Sequence, residues 1–322
     1  QYMVRDLAHG FRRCGCDVEI MRERDPSDDF FAGAWQGKVD RIARWFQPHA
    51  IIQMDHLRGE HGMMWGPGPV YVSWIQDALP HLFQAWNGLV SGKELMASVQ
   101  PKDLLLTSFP GLRQKMIDAG YPEGNIHHLP VGASCDMFFP QPYPEGELIV
   151  GVANNISHPA TASVPERYHR RVDPVKWLVD AGVKMRLHGV GWEKLEWAKP
   201  FHLGPVKNGP DLRAAYNACH VIIHGNSDTS LHQRVLEATA CGRPILSYAL
   251  ENDTHPVGIL SHQLPGFFRF TQEADILHSL RQCKMFVEQV KVKGWGYLDA
   301  FREKEDYKAR CQKILDLVEA RL

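Results

Sequence analysis

The sequence predicts an α/β protein made of two lobes, each a doubly wound, mostly parallel sheet. Three observations lead there. Apolar strand-like runs alternate with amphipathic helical stretches along the whole chain. The alternation pauses at Gln141-Pro142-Tyr143-Pro144-Glu145-Gly146, a turn-rich stretch between apolar segments, and then restarts. At 322 residues, the chain is long enough for two domains of ordinary size.

The first lobe is expected over 1–143. Met3, Leu7 and Phe11 recur at i, i+4 and i+8, which predicts a helix over 2–13. Gly15 stops it, and 17–21 reads as a strand. In such a domain a helix followed by a strand usually has another strand ahead of it. A first strand is therefore expected upstream of Gln1 or missing. Helix 39–46, strands 50–54, 70–75 and 103–108, helix 111–119 closed by Gly120, and a short strand 126–130 complete the lobe. The second lobe, 144–295, reads as strand 148–153, helix 173–181, strand 184–188 and helix 211–218. Strand 221–224, helix 231–241, strand 244–248 and a long helix 273–292 follow. Residues 296–322 predict one or two further helices that pack back on the first lobe. Lobes of this kind are Rossmann-like, and their ligands sit beyond the carboxyl ends of the strands. Chemistry is expected in a cleft where the two lobes face each other.

Composition removes several classes. Hydrophobic residues at 44% and charged residues at 23% fit a globular protein. A formal net charge of -1 gives no global basic field for nucleic acid or an anionic membrane. The seven cysteines are odd in number and scattered, which predicts free thiols in a reducing compartment. No apolar run approaches the roughly 18 residues of a membrane span, and no signal peptide is expected. The cytoplasm is the expected location. The histidines lack H-x-x-x-H or H-E-x-x-H spacing, so no metal site is expected.

The most informative segment is 220–248. Val221-Ile222-Ile223-His224 is a buried-type strand, and Gly225-Asn226-Ser227-Asp228-Thr229-Ser230 is a small polar loop after it. Ser230 and Gln233 fit the S-x-x-Q capping box of a helix beginning at Leu231 and ended by Gly242. The free N–H groups and partial positive charge of such a helix start favour a diphosphate. Arg234 and Glu237 stand three apart and share a helix face. Arg234 suits phosphate oxygens, and Glu237 suits the two hydroxyls of a ribose. Spacing alone favours a surface ion pair on an amphipathic helix.

Ser230-Leu231-His232-Gln233-Arg234-Val235-Leu236-Glu237-Ala238-Thr239-Ala240-Cys241-Gly242 resembles the donor-site segment of GT-B glycosyltransferases, and within them the CgeB-like group. Other segments resemble the same fold in the same order. They are His128-Leu129-Pro130-Val131-Gly132 with Asp136 and Pro140, Leu187-His188-Gly189-Val190-Gly191-Trp192, and His202-Leu203-Gly204-Pro205-Val206 with the helix after it. The resemblance covers the second lobe well and the first loosely. It implies a nucleotide-diphosphate sugar, of UDP or GDP type, as donor and Glu237 on the ribose. It also implies an acceptor such as a glycan, a lipid-linked glycan or a protein, and no metal or other cofactor. One departure matters. Retaining members often carry a glutamate eight residues before the second one, and here that position is Thr229. The stereochemistry therefore stays open.

The donor-site candidates are Gly225, Asn226, Ser227, Thr229, Ser230, Leu231, Arg234, Glu237, Arg171, Gly189 and Trp192. Arg167 and Arg170 share the polar segment of Arg171, after strand 148–153 and Asn154-Asn155. An inverting enzyme also needs a base on the acceptor hydroxyl. Asp77, after strand 70–75, is the first candidate and His56, after strand 50–54, the second. Asp55, Arg58, Glu60 and His61 lie beside His56. Ser108 is read as positional. Trp65, Trp74, Trp86 and Trp192 suit either stacking or core packing. Two rival readings remain: a nucleotide-sugar binding protein without transfer activity, and a nucleotide-sugar epimerase.

Overall fold

The computed structural model describes residues 2–21, 34–58, 68–76, 96–108, 110–156, 165–225, 232–248 and 264–322. The chain forms two compact units, Gln1–Val131 with Tyr307–Leu322, and Gly132–Asp306.

The first unit is a four-stranded parallel sheet in the order β1 (Ala50–Met54), β2 (Val70–Ile75), β3 (Leu104–Thr107), β4 (Ile126–His128). Every residue of β2 and β3 is buried. This explains why they read as unbroken apolar runs and not as alternating ones. Helix α1 (Tyr2–Arg13) forms as its i, i+4, i+8 pattern predicts. Its Leu7 and Phe11 share a core with β-strand residues and with Tyr307, Cys311 and Ile314. Helices α2 (Ala34–Phe46) and α3 (Pro110–Asp118) also belong to this unit.

The stretch 17–21 is not a strand: it runs without a ladder partner among the described residues. Local contacts hold it instead. Val18 packs at the edge of the core, and its carbonyl accepts from Arg12 Nη2 at 2.9 Å.

The second unit is a five-stranded parallel sheet in the order β6 (Lys184–His188), β5 (Ile149–Ala153), β7 (Val221–His224), β8 (Ile245–Tyr248), β9 (Phe267–Phe270). From β5 the chain goes to one side for β6, then crosses to the other for β7. The strand order therefore reverses between β5 and β7, and this is where a parallel sheet leaves a crevice at its carboxyl edge. Helix α4 (Pro165–Asp180) contributes Val172, Val175 and Leu178 to the core of this unit. Helix α5 (Pro210–Asn217) and helix α6 (Gln233–Ala240) precede and follow β7. The long α7 (Glu273–Lys293) adds Ile276, Leu280 and Cys283 to the core. Strand β9 is absent from the sequence expectation. Its Phe267-Phe268-Arg269-Phe270 run has no alternation, and its identity comes from its register with β8.

The region expected as one or two C-terminal helices is two, α8 (Leu298–Glu305) and α9 (Tyr307–Glu319). They break at Asp306, which is extended at φ -65, ψ 145. There Ala133 N–H donates to Glu305 O at 2.9 Å, and Cys135 N–H donates to Asp306 Oδ2 at 3.1 Å. The break marks the division of the units, since α8 belongs to the second and α9 to the first.

The proline-rich stretch 141–146, read as a linker, lies inside the second unit. A buried arginine fastens it there. Arg243 Nη2 donates to Gln141 O and to Asn217 Oδ1, both at 2.7 Å, and its guanidinium lies 4.2 Å over the Tyr143 ring. Tyr143 OH donates to Gly242 O at 2.6 Å. All seven cysteines are free. Among the described residues no helix is long and apolar enough to cross a membrane.

Candidate functional site

In the second unit, the carboxyl edge at the β5–β7 crossover gathers most of the described candidates. Strand β7 ends at His224, and Gly225 follows. A Cβ at Gly225 would lie 2.1 Å from Arg170 O and 3.0 Å from Arg171 Cα. The backbone of α4 passes so close that only glycine fits. This contact fixes Arg171 beside the end of β5, where its Nη1 donates to Asn155 O at 3.1 Å.

Helix α6 begins at Gln233, two residues later than the capping box predicts. His232 is its N-cap, extended at φ -73, ψ 143, and its Nδ1 accepts from Arg234 N–H at 3.3 Å. An imidazole nitrogen thus serves one of the helix's orphan N–H groups, the role expected of Ser230. Ser230 itself lies outside the described residues, as do Asn226, Ser227, Thr229 and Leu231.

Arg234 and Glu237 share a helix face, as their spacing predicts, with Arg234 Nη1 3.3 Å from Glu237 Oε2. They are not a surface pair. Glu237 is 1% exposed, whereas the Arg234 side chain is 36% exposed. Tyr216, from α5, donates its OH to the same Oε2 at 3.5 Å. Burial, then the Glu237 charge, pushes the Tyr216 phenol well above its ordinary range, so it remains a donor. Burial works to lower the Arg234 guanidinium, but Tyr216 and Glu237 outweigh it and the net direction is up. The result is a fixed cation whose outer side reaches solvent. Tyr216 was not foreseen as a site residue. It lies on another helix, and nothing in its local pattern marks a partner across the fold.

His224 was also missed, although a strand-terminal polar residue in an apolar run was its visible signal. It is 7% exposed, and its ring lies 5.3 Å from that of His232 at 32°. Burial comes first, then the neighbouring His232, Arg171 and Arg234, in holding the imidazole well below its ordinary pKa. His232 is lowered to about 4, again mainly by burial. His224 Nε2 and Asn154 Oδ1 are buried with no hydrogen-bond partner among the described residues. Both residues line one small recess, together with Tyr216 and Arg234, over Ile222 and Ile245.

Two expected donor contacts serve the scaffold. Gly189 is at φ 131, and a Cβ there would lie 1.9 Å from Asn154 O. Its N–H donates to Gly204 O at 3.1 Å, and its carbonyl meets His202 Nε2 at 2.9 Å. Trp192 is 0% exposed, and its indole N–H donates to Asn154 O at 3.0 Å. With no free face for a ligand, both hold the end of β5 in place. Core packing likewise claims Trp74, whose indole N–H donates to Leu129 O.

In the first unit, His56 stands directly after β1, at the carboxyl edge of the sheet. Asp55 is a backbone cap: its φ is 58, and its Oδ1 accepts from Gln76 N–H at 2.7 Å. Arg58, two residues after His56, serves the fold. It is buried in a two-pronged pair with Asp103, Nε to Oδ2 at 2.8 Å and Nη2 to Oδ1 at 2.7 Å. Ser108 is positional as expected, its Oγ donating to Gln76 O at 2.9 Å. Asp77, Glu60, His61, Trp65, Trp86 and the Arg167 side chain lie outside the described residues.

Residues 167–314 match the model of a glycosyl transferase-like family. No curated protein matches the chain. Solved structures similar to it include sucrose-phosphate synthase from Thermosynechococcus elongatus, with a TM-score of 0.64 at 11% identity, covering 98% of this chain and 92% of that one. The Anabaena protein Alr3699/HepE, in complex with UDP and glucose, gives 0.63 at 13% identity, with 99% and 95% covered. WaaG, a glycosyltransferase involved in lipopolysaccharide biosynthesis, gives 0.57 at 11% identity, with 99% and 95% covered. At these identities the likeness is one of fold, and the fold is GT-B.

Proposed function

We propose, from the premise of a glycosyl transferase-like domain on a GT-B fold, that this chain moves a sugar from a nucleotide-diphosphate sugar to an acceptor hydroxyl. The observation that carries the reading is the cluster Tyr216, Arg234 and Glu237 at the start of α6, beside the crossover of β5 and β7. A UDP-type donor is favoured, because the Anabaena structure of the same fold holds UDP and glucose; a GDP-type donor is the other member of the proposed class.

In this reading Glu237 accepts from the ribose hydroxyls, with Tyr216 OH and Arg234 fixing the carboxylate. Arg234 and Arg171 face the diphosphate and stabilise it as it leaves. The start of α6 adds its partial positive charge. These groups do the work that a metal does in other transferases, so the proposed reaction is metal-independent. The proposed base on the acceptor is Asp77, with His56 second.

The experiment is calorimetry with UDP and GDP on the wild type and on Glu237→Ala and Glu237→Gln. Hydrogen bonds to a charged group contribute about 1.5–3 kcal/mol, so loss of the carboxylate should weaken binding roughly 10- to 150-fold. Unchanged affinity in a folded Gln variant rules out the ribose role. Release of free sugar from the donor, with and without candidate acceptors, separates transfer from binding alone. The binding-protein reading has one observation in its favour: Thr229 stands eight residues before Glu237, where a carboxylate would contact the sugar.

A further inference from the structure

The cluster described above leaves two buried polar atoms unused, His224 Nε2 and Asn154 Oδ1. His224 Nε2 lies in the recess at the carboxyl edge of β7, between Asn154 of the β5 end and Arg234 of α6. A buried nitrogen left without a hydrogen bond carries an uncompensated desolvation penalty. A ligand oxygen reaching the recess, which has room for about one water-sized atom, would relieve it.

The surroundings decide which ligand. The groups that face His224 are Arg171 from α4, Arg234 and His232 from α6, Tyr216 from α5 and the Asn154 amide from β5. On the neighbouring strand, Ser247 of β8 is its register partner. Among the described residues the one carboxylate of the cluster is Glu237, already engaged by Arg234 and Tyr216. Burial first, and then the charges of Arg171 and Arg234, hold His224 well below its ordinary pKa, and the ligand chemistry these groups favour is that of an anion. The edge is built for an anion: a parallel-sheet crossover, a helix start and two arginines.

We propose that His224 is a further donor-binding residue: its imidazole takes a proton from solvent as the nucleotide sugar binds, and Nε2–H donates to a phosphate oxygen. The inference rests on the donor-site reading given above. No bond other than this hydrogen bond forms, and one proton moves from buffer to the imidazole. The phosphate charge offsets the burial and the repulsion from Arg171 and Arg234, so binding and protonation favour each other.

Proton uptake is read by calorimetry of UDP-glucose and GDP-mannose in buffers of different ionisation enthalpy, between pH 6 and 7.5. Both ligands have diester phosphates, which do not titrate in that range. The wild type should take up a substantial fraction of one proton, and its affinity should rise severalfold as pH falls from 7.5 to 6. His224→Gln can donate a hydrogen bond but cannot take up a proton. It should bind at pH 7.5 within a few fold of wild type and lose both the uptake and the pH dependence. His232→Gln should keep both, which assigns the proton to His224. Binding without proton uptake, or uptake that survives in His224→Gln, overturns the inference while leaving the donor site intact. If neither the two sugars nor UDP and GDP bind, the donor-site reading fails and takes this inference with it.

Discussion

The ion pair between Arg58 and Asp103 allows a quantitative test of what holds the first unit together. Asp103 accepts from Arg58 Nε at 2.8 Å and Nη2 at 2.7 Å, and its Oδ2 also accepts from Gln100 N–H at 3.0 Å. The side chains are 4% and 2% exposed, and the guanidinium lies 5.1 Å over the Tyr71 ring. Asp103→Ala removes the carboxylate that accepts two hydrogen bonds from the buried guanidinium and one from Gln100 N–H. Removing one member of a buried pair costs about 3–5 kcal/mol, a large share of the roughly 5–15 kcal/mol that stabilises a domain. About 4 kcal/mol corresponds to a thousandfold loss of protection at the slowest amides. Hydrogen exchange of peptides spanning β2 and β3 should show it, with the second unit's peptides unchanged. The double variant Arg58→Met, Asp103→Leu should recover most of the protection, because two apolar side chains leave no buried charge behind. A loss below tenfold in the single variant refutes the reasoning, and so does a double variant as weak as the single. Because Arg58 follows His56 by two residues, the single variant should also disturb the end of β1.

Two further predictions concern the second unit. His188, His220, His224 and His232 all have folded-state pKa values lowered mainly by burial, His232 to about 4. The unfolded chain therefore binds more protons than the folded one below an ordinary histidine pKa of about 6.5. Stability from these groups is fully present above that pH and falls as pH drops toward 4, by up to about 1.4 kcal/mol per pH unit for each histidine. Chemical denaturation of the unit at pH 7.5, 6.5 and 5.5 should show the decline, with a shallower slope in His232→Gln; a flat profile contradicts the buried neutral imidazoles. Gly225→Ala places a methyl 2.1 Å from Arg170 O, a backbone atom that cannot turn aside. Overpacking of this kind costs about 3 kcal/mol, or about 6–12 °C in the Tm of a unit of this size. A Tm within about 2 °C of wild type would mean that α4 does not pass where described.

Much of the fold was legible because local pattern and tertiary role agree. Strands β1, β2, β6 and β7 lie where their apolar runs predict, and the Met3, Leu7, Phe11 stripe forms the expected helix. Where local and tertiary signals part, the prediction fails. Residues 17–21 have strand composition but no ladder partner among the described residues, and Phe267–Phe270 is a strand because β8 lies beside it. The stretch 141–146 reads as a linker because proline and glycine report local backbone freedom. They cannot report that Arg243, far along the chain, will fasten it to the second unit.

The same division runs through the candidate site. The sequence by itself determined that Arg234 and Glu237 share a face, because three residues on a helix bring side chains together whatever surrounds them. Tertiary structure decided that this face is buried at Glu237 and open at Arg234, since burial depends on α5 and its Tyr216. It decided between stacking and core packing for Trp192, which is a core plug, and made Arg58, a neighbour of the candidate base His56, half of an ion pair. It also brought His224, Asn154 and Arg171 to one edge from three separate segments. Spacing along a helix is a covalent fact, readable in order. Proximity between β5, α4 and β7 exists only once the parallel sheet has formed with its crossover between β5 and β7.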